Sequence, residues 1–236
     1  MATAERVAED VASGDVGRAS RRWLGWLAAV LATAFAVNTY FVATTRLLPF
    51  DLPVALFVQR VPWGPLTAVM GLTNFLGAGW QPLLGALAVV LLALIDRRAG
   101  WLMALGSLAS ILDDTIKLLF SRQRPAPDLV HVLAPVSGYS YPSGHAVFFT
   151  WLSFMLAFSL APMLRPRLRP LLWAVAAFVA LTACLGRIWA GAHWPSDVLG
   201  GALFSLAWAA FVLWLPERWL PSPSLRWVRF RRARSP

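Results

Sequence analysis

From Trp23 to Thr45 the chain runs for 23 residues without a charged side chain. That length matches the ~20 apolar residues needed to cross the hydrocarbon core of a bilayer. It exceeds the roughly 7–15-residue apolar core of a signal peptide, so Ser20-Arg21-Arg22 ahead of it reads as a basic flank, not as a twin-arginine export signal. Comparable runs recur as far as Leu215. In hydrocarbon every backbone N–H and C=O must find its partner within the protein, which leaves helices or closed barrels. The runs lack the period-2 alternation of barrel strands. They predict an all-α integral membrane protein, a six-transmembrane-helix bundle. Composition agrees, since only 14% of the 236 residues are charged, against about a quarter in soluble domains.

The span limits follow from where the apolar runs stop. Residues 46–71 are broken by Pro49, Pro53, Pro62 and Pro65 and carry Arg46, Asp51 and Arg60. They read as a re-entrant or interfacial segment with one short helix lying on the membrane. A second span begins between Leu72 and Gln81 and ends at Ile95; Asp96-Arg97-Arg98 is a tight turn; a third span runs from Ala99 to Phe120. Pro125, Pro127, Pro135 and Gly138 make 121–142 a long loop. The fourth span begins at Ser143 and ends near Leu164, the fifth covers Leu171 to Arg187, and the sixth Pro195 to Leu215. The membrane domain is thus 20–216, between a cytoplasmic tail at 1–19 with no strong periodicity and a basic cytoplasmic tail at 217–236.

The net charge of +10 would suit a nucleic-acid partner if it lined one soluble face. It does not. Arg18, Arg21 and Arg22 precede the first span, Arg97 and Arg98 fill one turn, Arg165, Arg167 and Arg169 another, and six arginines from Arg218 to Arg234 follow the last span. Six spans put both termini and both turns on one face, and the positive-inside rule makes that face cytoplasmic. Trp23, Trp26, Trp63, Trp80, Trp101, Trp189, Trp194 and Trp219 fall near span ends, as an interfacial belt requires. No nucleic-acid partner is expected. Cys184, the only cysteine, lies in an apolar run and reads as an inert buried thiol.

The opposite face collects different residues. The third span ends at Lys117, the fourth starts at His145, the fifth ends at Arg187 and the sixth starts at Asp197. Lys117 is the only lysine, and two of the three histidines, His145 and His193, are here. An up-down bundle brings these fragments into one layer, a candidate active site at the extracytoplasmic membrane interface, where lipid headgroups lie. Lys117, Arg124 and Arg187 supply three cations, Arg as a bidentate fork and Lys as a point charge. Snorkelling would explain two arginines, but these lie on the face that the positive-inside rule leaves poor in them. Ser143 stands where a helix N-cap belongs, with free N–H groups behind it suited to an anion. Gly144 lets an oxyanion approach the backbone.

Asp197 falls in the first turn of the sixth span, four residues after His193. A carboxylate there complements the helix dipole. It can also accept a hydrogen bond from one imidazole nitrogen, leaving the other as nucleophile or base. Two histidines in one layer divide naturally into nucleophile and acid. Asp113 and Asp114 precede Lys117 on its own side of the helix; either one of them holds the lysine or both are solvated carboxylates lining an access cavity. His131 has no motif around it and reads as a surface histidine. No Cys/His ligand set or His-Glu pattern appears, so neither a metal nor another cofactor is implied.

Three spaced patterns carry a family resemblance. They are Lys117 with Arg124-Pro125, Pro142-Ser143-Gly144-His145, and Arg187 with His193 and Asp197. The chain resembles the type 2 phosphatidic acid phosphatase (PAP2) family of integral-membrane lipid phosphatases. It departs at Gly186, where the family has Ser. The resemblance implies that His193 attacks phosphorus to give a phosphohistidine, Asp197 orients it, and His145 protonates the leaving oxygen. Lys117, Arg124, Arg187, Ser143 and the Gly144 amide would hold the phosphoryl oxygens without a metal. The implied setting is a multi-pass protein of a bacterial plasma membrane with its site facing outward.

The expected activity is hydrolysis of a membrane lipid phosphate or diphosphate. Candidate substrates are phosphatidic acid, phosphatidylglycerol phosphate and a polyprenyl diphosphate such as undecaprenyl diphosphate. Phosphotransfer to another acceptor would use the same phosphohistidine, and a non-catalytic lipid-binding or transport protein could share the scaffold. The soluble vanadium haloperoxidases share this kind of anion site, but six spans argue against that activity. Nothing in the chain sets an oligomeric state.

Overall fold

The computed structural model describes residues 2–133 and 136–221, with side chains from Arg22 onward apart from Glu217. The side chains of Arg18 and Arg21, Pro135, and the arginines from Arg226 to Arg234 lie outside that set. Helices account for all the regular structure among the described residues. They are α1 (Ala2–Thr44), α2 (Asp51–Arg60), α3 (Leu66–Gly77), α4 (Gln81–Ile95), α5 (Arg97–Phe120), α6 (Gly144–Leu160), α7 (Arg169–Trp189) and α8 (Pro195–Trp214). The segment 1–19, whose sequence shows no strong periodicity, is helical from Ala2 onward.

Four helical stretches are long and apolar enough to cross a membrane: Arg22–Thr44, Gly144–Met163, Pro166–Trp189 and Pro195–Trp214. A fifth candidate is α3 with α4, bent by 87° at the break between them. The expected interfacial segment therefore holds two helices instead of one, and the second span is not a single rod. α4 alone has 15 residues, ~22 Å of helix against a ~30 Å hydrocarbon core. α5 has the length but not the apolarity of the others, because Arg97, Arg98, Asp113, Asp114 and Lys117 lie on it.

Local chemistry sets the helix ends. Asp96 caps α5 by accepting from the Ala99 N–H at 3.3 Å. Ser121 ends α5 in the left-handed region, at φ 47°, with its N–H on the Lys117 carbonyl. Prolines sit in the first turns of α4, α7 and α8, where the missing N–H costs nothing.

α6 is the central helix, packed against α5, α7 and α8, while α1 lies along α8, α4 along α5 and α3 along α7. Phe148, Trp151 and Met155 of α6 meet Met103 of α5, Ala183 of α7 and Val212 of α8 in the main apolar core. Between helices that cross a bilayer, the close van der Waals packing of such side chains, not their removal from water, favours the association. That packing fixes the near ends of α5, α6, α7 and α8 beside the loops 121–143 and 190–194, where the motif residues lie.

Candidate active site

His193 sits in the loop between α7 and α8 and is 3% exposed. Its Nδ1 lies 2.8 Å from the Ser140 carbonyl. A carbonyl only accepts, so Nδ1 carries the proton and Nε2 the lone pair. A guanidinium N–H from Arg124 meets Nε2 at 3.0 Å. The Asp197 carboxylate, expected on the imidazole, is 3.8 Å from Nδ1. Its Oδ2 instead accepts from the Ser140 hydroxyl at 2.5 Å and from the Trp194 N–H at 2.8 Å. Asp197 thus acts on the groups that flank His193, and Ser140 makes the direct contact. Burial pushes the His193 imidazole down to about 4, with the nearby Asp197 working against it.

Beside His193 opens a cavity of about 1490 Å³. Asp113, Asp114, Lys117, Arg124, Gly144, His145 and Arg187 all line it. It continues along α5 as far back as Ala104, roughly 20 Å of helix from Lys117. The Lys117 ammonium pairs with the buried Asp113 and, at 3.2 Å, with the exposed Asp114. Both alternatives for the carboxylates therefore hold in part: they grip the lysine and they line the cavity. Gly144 gives this cluster its room, since a Cβ there would stand 2.9 Å from Asp113 Oδ2 and 3.0 Å from Lys117 Nζ.

Two buried donors among the expected phosphate ligands lack an acceptor among the described residues: Arg187 Nε, whose residue lines the cavity, and Ser143 Oγ, whose residue does not. A buried donor left unpaired costs about 1–3 kcal/mol, and phosphoryl oxygens are suitable acceptors. Ser143 does occupy the N-cap position of α6, but its side chain makes no capping bond. Arg124 has its guanidinium on the carbonyls of Ser137, Gly138, Tyr139 and Ala192 as well as on His193. It ties the two site loops together and covers Nε2 of His193 at once. Burial lowers the pKa of its guanidinium from the ordinary value, and Asp197 opposes that shift.

Residues 83–221 match the PAP2 superfamily. The chain belongs to that superfamily. A bacitracin transport permease protein BcrC of Bacillus licheniformis is 31% identical over 109 residues, 45% of this chain and 49% of that relative. An undecaprenyl-diphosphatase of Sulfolobus acidocaldarius is 23% identical over 201 residues, 81% of this chain and 90% of that protein. Among solved structures, a membrane PAP2-type phosphatidylglycerolphosphate phosphatase from Bacillus subtilis superposes with a TM-score of 0.64 at 22% identity, covering 80% of this chain and 94% of that one. LpxE of Aquifex aeolicus gives 0.56 at 23% identity, covering 72% and 98%. These two share the fold.

Gly186, where this PAP2 protein departs from the family pattern, lies against α3. A Cβ at Gly186 would stand 3.2–3.4 Å from the Cβ, carbonyl oxygen and Cα of Met70. Glycine therefore lets α3 lie close on α7. That approach delivers Asn74, which carried no motif signal. Its side chain accepts from Arg187 Nη1 at 2.9 Å and donates to the Gly186 carbonyl at 3.2 Å. Its own carbonyl receives His145 Nε2 at 3.2 Å. Asn74 thus touches one expected phosphate ligand and the expected acid. Ser140 and Asn74 are the residues at the site that sequence reasoning missed.

Proposed function

We propose that this PAP2 protein hydrolyses the phosphate or diphosphate group of a membrane lipid through a phosphohistidine on His193. The observation that carries the reading is the single-sided presentation of His193. Nδ1 is tied to a carbonyl, and Nε2 is directed to a cavity edged by Lys117, Arg124 and Arg187. The Nε2 lone pair attacks phosphorus as the phosphorus–oxygen bond to the lipid breaks. His145 gives its proton to the departing oxygen. Water then attacks the phosphorus, the P–N bond breaks with its electron pair returning to His193 Nε2, His145 takes a proton from the water, and inorganic phosphate leaves. Arg124 moves off Nε2 as the phosphoryl group arrives. Arg187 Nε and Ser143 Oγ gain acceptors, and Lys117 and the Gly144 amide bind the remaining oxygens.

The length of the cavity supports a lipid substrate. Gly85, Ala86 and Val89 of α4, Ala104 and Ser107 of α5, and Phe148 and Trp151 of α6 line it beyond the charged end. These small and apolar side chains leave a slot that suits a hydrocarbon chain lying beside its phosphate. Relatives named for an undecaprenyl diphosphate and a phosphatidylglycerol phosphate fit that chemistry, and phosphatidic acid is the third candidate. The chain crosses the membrane six times, with α3 and α4 as one broken span, both termini cytoplasmic and the site facing outward.

Purified protein in detergent or vesicles, with chelator and no added metal, should release phosphate from at least one of these three lipids. His193→Ala should abolish release and His145→Ala slow it by roughly 10²–10⁴-fold, the usual worth of a positioned acid. An inactive wild type across the panel, or a fully active His193→Ala, would remove the assignment.

A further inference from the structure

Behind His193, away from the cavity, lies a buried ion-pair network to which neither the motifs nor the proposed mechanism gives a role. At its centre is Arg122, 6% exposed. All five of its N–H donors have acceptors. Nη1 reaches Asp197 Oδ1 and, at 2.7 Å, Ser196 Oγ. Nη2 reaches Asp51 Oδ2 at 2.7 Å and the Arg46 carbonyl at 3.2 Å, and Nε the same carbonyl at 3.3 Å. Asp51, the first residue of α2, is fully buried. Besides Arg122 it receives the Ser196 N–H at 2.9 Å, the Ser196 hydroxyl at 2.8 Å and the Leu48 N–H at 3.1 Å.

The network ends on the nucleophile. Asp51 and Arg122 set one oxygen of Asp197. The other oxygen holds the Ser140 hydroxyl and the Trp194 N–H, and the Ser140 carbonyl takes the His193 Nδ1 proton. Arg122 also receives the Ser140 N–H on its own carbonyl at 2.8 Å, so it grips that residue from both ends of the relay. A buried ion pair adds little net stability compared with apolar side chains of the same volume. What it does supply is a directional constraint, because the planar guanidinium fork allows few carboxylate positions.

We propose that Asp51 and Arg122 are positioning residues for the nucleophile: they fix Asp197, which through Ser140 holds His193 in one tautomer with Nε2 toward the cavity. The assignment rests on the phosphohistidine reading. It also gives residues 46–71 a task, since α2 buttresses the site from behind.

The test uses the full chain labelled with ¹⁵N-histidine in micelles. Its three histidines keep the spectrum simple, and His193→Gln identifies the His193 signals. The wild type should show Nδ1 protonated and Nε2 unprotonated. Asp51→Asn should move those signals toward a mixture of tautomers. In the same samples it should lower kcat per folded molecule by roughly 10–100-fold, with KM changed by less than about threefold, since a small misplacement of the reacting atom acts on the chemical step. His193 signals identical to wild type would overturn the proposal whatever kcat does, and so would a loss confined to the yield of folded protein. If Asp51→Asn does not fold, Ser196→Ala carries the test, with a smaller tautomer shift expected and none overturning the proposal. A wild type inactive on all three lipids would defeat the phosphatase reading alone, and the nitrogen signals would still decide the positioning.

Discussion

His193 illustrates how neighbours that can play only one role assign a side chain. The Ser140 carbonyl accepts and the Arg124 guanidinium donates, so the ring has one tautomer available to it. Burial then keeps the imidazole neutral down to about 4, below the ordinary ~6.5. The sign follows: a depressed pKa means that the lone pair is present across neutral pH and is lost only when the pH falls through that value. The added proton goes to Nε2, which the proposed mechanism needs as its nucleophile, so in that reading protonation and loss of nucleophilicity coincide. An NMR titration should find His193 neutral through the mildly acidic range and protonating at roughly pH 4, not near the ~6.5 of a free imidazole. A midpoint at the free value would mean that the ring is hydrated and not enclosed as the structure has it.

Among the elements, α3 touches both Arg187 and His145 through Asn74, yet little in the sequence marked it. The apolar runs of α1, α6, α7 and α8 show themselves by length alone, and the three motifs name their own residues because chemistry-bearing side chains are rare in such a chain. Asn74 has no such contrast: it is one polar residue in a short helix among prolines and glycines, and its partners lie at Gly186 and Arg187 on α7. Asp51 is hidden for the same reason, its partner Arg122 being 71 residues away. No local pattern encodes a pairing at that distance. The Asp197–His193 hydrogen bond read from their spacing gave way to Ser140, because the N–H of Trp194 and the hydroxyl of Ser140 claim the same carboxylate oxygen. The weight carried by α3 is measurable. Asn74→Ala removes the acceptor of Arg187 Nη1 while leaving the backbone carbonyl under His145 in place. A hydrogen bond to a charged group is worth about 1.5–3 kcal/mol, so kcat/KM should fall by roughly tenfold or more. Unchanged kinetics would show that Arg187 holds its orientation without α3.

For the molecule as a whole, the side of the membrane on which the site opens and the path of α5 are one question. α5 keeps its charges at its ends: Arg97 and Arg98 begin it, and Asp113, Asp114 and Lys117 fall in its last turns. From Ala99 to Leu112 it carries none, ~21 Å of helix. Ends of that kind sit at the two interfaces of a membrane, where long cationic side chains reach water and Asp113 and Asp114 pair with Lys117. If α5 crosses, the Arg97 turn shares a face with the Arg165–Arg169 turn, and the 121–143 loop lies opposite both. The lone cysteine makes this testable. In a Cys184→Ala background, Asp128→Cys, Arg97→Cys and Arg167→Cys each introduce one thiol at an exposed position. In intact cells a membrane-impermeant maleimide should label the Asp128→Cys protein. The other two should react only after permeabilisation, as the positive-inside rule requires of arginine-rich turns. Arg97→Cys labelled from outside together with Asp128→Cys would mean that α5 does not cross, leaving five spans. The reverse pattern at all three positions would turn the site inward, toward lipids of the cytoplasmic leaflet.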